Sequence, residues 1–265
     1  MTRTSRVVLG AGVFAILLAI APAAGWCQSV SPAGASSRAV EPRADAILKA
    51  MSERLAGLER FAFEAEETFD EIPDGEPRVQ LSNLRRVAVE RPGRLAADAE
   101  GDTLQRAAWY DGKTATILDK AANAYAQADV APTIDAALDD LAERFGVVPP
   151  LADLVYADPY AVLKEGVLYG RYLGLHRAAG VLCHHLAFVQ DTIEWQIWID
   201  AGEVPLPRKI VITYVREPGE PQYSATIHKW NLAPTFPEGL FTFQAPPGAE
   251  RVDVGTGSNA GGGGR

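Results

Sequence analysis

Cys183, His184 and His185 stand in one short apolar run, Val181-Leu182-Cys183-His184-His185-Leu186-Ala187-Phe188, and Trp195-Gln196-Ile197-Trp198-Ile199-Asp200 follows after a short break. Thiolate, imidazole and carboxylate groups hold transition metals and build activated nucleophiles. The run contains two of the four histidines and one of the two cysteines in the chain. Spacing decides how many of them can act together. With Asp191-Thr192 as a two-residue hairpin loop, counting outwards sets Phe188 opposite Trp195, Leu186 opposite Ile197 and His184 opposite Ile199 on one face. The other face then pairs Val189 with Glu194, Ala187 with Gln196, His185 with Trp198 and Cys183 with Asp200. Successive strand residues point to opposite sides, so His184 and His185 cannot share an ion. Cys183, His185 and Asp200 do share a face, and a metal-binding protein using these three is one alternative reading. A Cys-x-His spacing is a weak signal, and the expectation is no metal: a small buried thiol and a histidine stacked on Trp198.

A Cys–His nucleophile fails on distance, because side chains two apart on one strand face stand ~7 Å apart. The chain has no G-x-S-x-G, H-E-x-x-H, Walker loop or strand-to-helix G-x-G-x-x-G, and its run of four glycines lies in the C-terminal tail. No catalytic residue is assigned, no cofactor is expected, and the chain reads as a non-enzyme. The acidic run of Glu64, Glu66, Glu67, Asp70 and Glu71 reads as a solvated strand face rather than a calcium site. Asp139, Asp140 and Glu143 read as the wet side of a helix.

What must position these residues is a sheet. Pro42 opens an amphipathic helix with Ile47, Leu48, Met51, Leu55 and Leu58 at helical spacing. Phe61, Phe63, Ala65 and Phe69 then alternate with polar residues, which is the period of a strand with one apolar face. Further strands follow at "RVQLSNLRRVAVERP", "RLAADAEGD", the Asp111-Gly112 hairpin in "AAWYDGKTATILD", and "NAYAQAD". A helical block interrupts: Thr133 caps one helix that closes at Gly146, and two shorter helices break before Pro159. Strands resume from "VLYGRYLGLH" to "QYSATIHKW" and end in "LFTFQAP". Each strand is expected to keep one wet face. The fold class is therefore α+β, a strongly curved antiparallel sheet forming an unclosed half-barrel, with the helices over its concave face. About forty residues of helix are too many for a barrel connection.

The inward face is rich in large apolar side chains. Phe61, Phe63, Leu186, Phe188, Trp195, Ile197, Ile199, Ile210, Ile212 and Tyr214 are the expected ligand-binding residues of a hydrophobic cavity beneath the helices, with Trp109 and Tyr110 as further candidates.

Arg3 and Arg6 precede an apolar run from Val7 to Ile20 and then small residues. This is a secretory signal, too short for the roughly twenty residues that span a bilayer. The expected organisation is a signal over 1–27, a flexible linker over 28–42, one domain over 43–254 and a disordered tail over 255–265. Trp26 before Cys27 argues against lipid anchoring at Cys27. Were cleavage to fall earlier, a Cys27–Cys183 disulfide would be one outcome in an oxidising compartment. A net charge of −9 without a Lys/Arg cluster excludes charge-driven nucleic-acid or anionic-membrane binding.

"VERPGRL", "WYDGKTATILDKAANAYAQAD", "PTIDAALDDLAERFGVVPPLADLVYADP", "CHHLAFVQDTIEWQIWID", "PLPRKIVITY" and "FTFQAPPGA" together resemble predicted periplasmic proteins known only as a domain of unknown function. More loosely, "WID", a turn and "PLP" leading into a strand, within a helix-covered meander, are similar to the LolA and LolB lipoprotein carriers. That resemblance implies a helical lid, a hydrophobic cavity, no cofactor, and a carrier or sensor role toward lipid-modified proteins. It also implies a lid-locking arginine, for which Arg85, Arg86, Arg91 and Arg94 are all candidates. The expectation is a periplasmic, non-enzymatic binding protein or carrier for a hydrophobic ligand such as a lipid or a lipoprotein acyl chain. An envelope protein-interaction or sensor module with a packed core is the alternative beside the metal-binding one. A lipid-modified protein or an envelope protein is the expected partner, with no transmembrane segment in the mature chain.

Overall fold

A computed structural model describes residues 39–73 and 77–253. The expected signal peptide, Cys27, most of the linker and the tail lie outside these residues. Helix α1 (Pro42–Ala56) starts at a proline, whose missing N–H costs nothing in the first turn. Then come β1 (Arg60–Glu71), β2 (Val79–Glu90), β3 (Arg94–Gly101), β4 (Gln105–Tyr110), β5 (Thr114–Asp119) and β6 (Ala124–Asp129). The helical block consists of α2 (Ile134–Phe145), a single 3-10 turn at Ala152–Leu154 and α3 (Pro159–Lys164). Thr133 Oγ1 accepts from Ala136 N at the start of α2, and Gly146, at φ 65°, ends it in the left-handed conformation. Strands β7 (Tyr169–Ala178), β8 (Val181–Val189), β9 (Glu194–Asp200), β10 (Pro207–Thr213), β11 (Gln222–Asn231) and β12 (Glu250–Arg251) complete the chain.

All of these strands belong to one 12-stranded sheet in the order β12-β6-β5-β4-β3-β2-β1-β11-β10-β9-β8-β7. Two meanders, one on each side of the helical block, join where β1 pairs with β11. The ends of the sheet, β12 and β7, do not pair with each other, so the sheet is open and curved. At the β7 edge, Val40 bridges Gly170 and Glu41 N donates to the Gly170 carbonyl at 2.9 Å. These two residues of the expected linker are therefore part of the fold.

Every pair counted outwards from Asp191-Thr192 is present, from Phe188 opposite Trp195 to Cys183 opposite Asp200. Two expectations change. "LFTFQAP" is not a strand: residues 234–249 cross the sheet irregularly, and β12 pairs with β6 in parallel. Pro246 and Pro247 deny this stretch ladder donors, and Phe243 instead packs its ring on Trp109 and Tyr125 at 5.1 and 4.8 Å. Consequently the face of β4–β6 that points away from the helices is not wet, since Ala107, Thr116 and Leu118 are buried beneath this segment.

Candidate functional site

Cross-strand register defines one face across the sheet. Phe63 of β1 lies beside Val87, then Ala97, Ala108, Ile117 and Ala126. In the other direction Ala65 lies beside Ile227, and Ala225 beside Ile210, followed by Ile197 and Leu186. The face is apolar throughout this row but changes in bulk. On β1 and β8–β11 the side chains are large; on β3–β6 they are mostly alanine.

The large side chains are packed. Phe61, Leu186, Ile197 and Ile199 are fully buried, and Phe63, Phe188, Trp195 and Ile210 nearly so. They share one core with Leu48, Met51 and Leu55 of α1, Ile134 and Leu138 of α2, Leu154 of the 3-10 turn and Val155 just after it. Ile212 packs against its margin, and Tyr214 is half-buried. Phe188 and Trp195 stack at 4.3 Å, and the Phe188 ring lies so close over Gly170 that a Cβ there would stand 2.6 Å from it. The structure thus brings the expected lining residues together, with helices filling the space against them. On the alanine wing Ala97, Ala108, Ala115, Ile117 and Ala128 are only half-buried, because short side chains beyond the reach of α1 leave the sheet floor open. Tyr110 shares this face, with its hydroxyl donating to the Ala131 carbonyl at 2.6 Å. Trp109 points to the opposite face.

Of the four candidate arginines, Arg91 reaches the helical segment. Its Nη1 donates to the Val155 carbonyl at 2.6 Å, Nη2 to the Tyr156 carbonyl at 2.8 Å, and Nε to the Leu58 carbonyl at 3.2 Å. Burial pushes this guanidinium below its ordinary pKa, opposed by Asp135. The same segment is tied to α2 by Tyr156, whose hydroxyl donates to Asp139 Oδ1 at 2.8 Å and whose pKa is driven up chiefly by burial. Ala157 N donates to Asp135. Across the lid, Asp45 of α1 accepts from Tyr160 and Lys164 of α3.

Glu67 corrects the reading of the acidic run. Odd-numbered residues of β1 face the core, so Glu67 follows Phe63 and Ala65 inwards and is 1% exposed. Its Oε1 accepts from Arg85 Nε and from the Tyr223 hydroxyl, both at 2.7 Å, while Oε2 has no partner among the described residues. Burial, reinforced by Glu67, raises the Tyr223 pKa well above normal. The apolar face therefore ends in a buried ionic cluster. Alternation alone could have assigned Glu67 to that face.

The three residues of the metal reading do not converge. Cys183 is fully buried with its thiol directed at the Val181 carbonyl, and burial raises its pKa. Asp200 is engaged by Arg208 at 2.8 Å and by Gly202 N at 2.9 Å. His185 stacks on Trp198, with ring centroids 3.9 Å apart at 16°. Among the described residues no three His, Cys, Asp or Glu side chains surround a point fit for a metal ion, and no helix is long and apolar enough to cross a membrane.

No curated protein matches the sequence. In structure, the chain is similar to LprF from Mycobacterium bovis, at 15% identity and TM-score 0.47 over 75% of this chain and 98% of that one. It is similar to an uncharacterized conserved protein from Thermus thermophilus, at 12% identity and TM-score 0.44 over 80% and 99% of the two chains. A LolA-superfamily protein from Nitrosomonas europaea is also similar, at 10% identity and TM-score 0.38 over 76% and 97%. A family model described as "predicted periplasmic protein (DUF2092)" matches residues 44–255, nearly all of the sheet and its helices, and the chain belongs to that family.

Proposed function

We propose that this protein is a periplasmic, non-enzymatic carrier or binding protein for a hydrophobic ligand, a lipid or the acyl chain of a lipoprotein. Its exported form would follow removal of a signal at residues 1–27, with 43–254 as the single ligand-binding domain between a linker and a tail. The observation that supports this most directly is the uneven cover of the apolar face. Helices fill the bulky wing, whereas the adjoining alanine wing offers half-buried apolar floor. A ligand chain lying on Ala97, Ala108, Ala115 and Ile117 would abut the lid, and lid displacement would extend the slot over Phe63, Phe188, Trp195 and Ile197. Affinity would arise from apolar area removed from water, about 25 cal/mol per Å² before the costs of association.

Native mass spectrometry of protein taken from periplasm without detergent tests this, followed by titration with a fluorescent fatty acid. A lipid-range adduct and saturable probe binding are expected. Ala108→Trp, which fills the floor with a ring while leaving the packed wing intact, should weaken probe binding at least ~10-fold, a loss of about 1.4 kcal/mol. A bare mass together with failure to take up the probe would overturn the carrier reading in favour of a packed interaction module.

A further inference from the structure

The face of the sheet opposite the lid holds a cleft that the carrier reading does not use. Register builds its floor. Trp109 of β4 lies beside Thr116 of β5, and Thr116 beside Gln127 of β6. Further along, Thr114 lies beside Asp129, and Asp111 stands in the hairpin turn that joins β4 to β5. Residues 241–243 of the C-terminal stretch form the opposing wall, and Arg251 of β12 also lines the space, which measures about 280 Å³. The polar side chains are preorganised by their own bonds. Asp111 Oδ1 accepts from the backbone N–H groups of Lys113 and Thr114 at 3.0 and 2.8 Å. Asp129 Oδ1 accepts from Thr114 Oγ1 at 3.2 Å, and Gln127 Nε2 donates to Thr116 Oγ1 at 3.0 Å. Each of these bonds uses one polar atom of its side chain and leaves a second, Asp111 Oδ2, Asp129 Oδ2 or Gln127 Oε1, as an acceptor for another partner. Arg251 is exposed and adds a donor-only guanidinium.

We infer that this cleft binds one neutral pyranose ring, either a free sugar or the end residue of a glycan. Charge and hydrogen-bond type select the ligand class. An anion would face the Asp111 and Asp129 carboxylates, and a cation would share the space with the Arg251 guanidinium. An apolar chain would strip water from two carboxylates and an amide and return no hydrogen bond. A ligand dense in hydroxyls meets both sets, because each hydroxyl donates to a carboxylate or amide oxygen and accepts from a guanidinium. Aromatic rings supply the other half of the fit. Trp109 and Phe243, with ring centroids 5.1 Å apart and tilted by 51°, line the cleft together with Phe241. A pyranose has one face of C–H groups, which packs on an aromatic ring while its hydroxyls radiate from the edge towards the polar side chains. The wall is fixed, since Phe241 is buried and stands edge-on to Phe236 at 5.1 Å. The volume lies at the lower end of small-molecule sites, which run from about 300 to 1,000 Å³, and takes one ring rather than a chain.

The test is saturation-transfer NMR and calorimetric titration of the untagged chain at neutral pH. The probes are glucose, galactose, mannose and N-acetylglucosamine, with the soluble cellulose- and chitin-derived tetramers beside them. At least one probe should bind saturably at one site per chain, with saturation strongest on the C–H protons of one ring face. A tetramer that binds more tightly than its own monomer assigns the site to a glycan end, and equal binding assigns it to a free sugar. Asp129→Asn, at an exposed position, can keep the hydrogen bond from Thr114 and turns the second acceptor into a donor. It should weaken binding at least ~10-fold, because a site built to hydrogen-bond a hydroxyl discriminates strongly against a mismatched partner. Trp109→Leu should abolish the signal, and if that variant is unstable Asp129→Asn still decides. Glu143→Gln, on the exposed side of α2, should change nothing. Saturable binding by none of the probes, parent-like binding by the Asp129→Asn protein, or tighter binding of choline, glycine or acetate than of every sugar would each overturn the assignment.

Discussion

Three charged residues tether the apolar face to its surroundings, Arg91 on its own and Glu67 with Arg85 as a pair. Arg91 satisfies carbonyls of Leu58, Val155 and Tyr156, groups that the 3-10 turn and the end of α1 leave without helical partners. Hydrogen bonds to a charged donor contribute ~1.5–3 kcal/mol each and are not additive. Arg91→Met should therefore lower unfolding stability by at least ~2 kcal/mol, and amide exchange across residues 151–157 should accelerate. Unchanged exchange there would show that Arg91 does not hold the segment. Glu67 and Arg85 behave differently because each compensates the other's charge inside the protein. Glu67→Ala should cost ~3–5 kcal/mol by stranding Arg85, whereas Glu67→Met with Arg85→Met should come close to the parent stability. A double variant as unstable as the single one, measured by denaturant unfolding, would refute that account.

Strand β8 places its chemistry on both faces, and its two histidines share one consequence. Burial is the main cause that lowers the pKa of both His184 and His185, so in the folded chain they resist protonation. The unfolded chain takes up those protons as pH falls through about 6.5. Stability should therefore be highest above that pH, fall as the pH drops from there towards the lowered native values, and level off below them. Denaturant midpoints across this range measure the effect, and His184→Gln should remove part of the slope; a flat profile would contradict it. The alternation that makes β8 two-sided was legible from sequence, as was the register around Asp191-Thr192, because a two-residue loop leaves one way to pair the flanking strands. The contact between His176 and His185, whose Nδ1 atoms lie 2.8 Å apart, was not legible. It depends on a bulge in β7 that shifts the register; Gly174 inside the strand signals such a bulge, but the strand pattern does not give the partner that the shifted register brings to His176.

At the scale of the whole molecule, the C-terminal stretch closes the side of β4–β6 that faces away from the lid. Phe243 sits between Trp109 and Tyr125 and is half-buried. Full burial of a Phe makes its truncation cost about 3–5 kcal/mol, so Phe243→Ala should cost roughly half that, and Trp109 emission should move to the red. Emission that stays in place would mean that the segment does not shield Trp109. Sequence alone determined the open α+β sheet, the helical interruption and the apolar residues of the inner face, because these follow from the strand and helix periods and from short-range turn chemistry. The same periods assign Glu67 to the inner face, where the structure buries it, against the reading of the acidic run as solvated. Only the tertiary structure decided that helices fill the bulky wing, that Arg91 rather than Arg85, Arg86 or Arg94 grips the helical segment, that Trp109 is covered by residues from the far end of the chain, and that His176 meets His185. Those outcomes depend on the volume left between layers and on register between distant strands, which a local pattern does not encode.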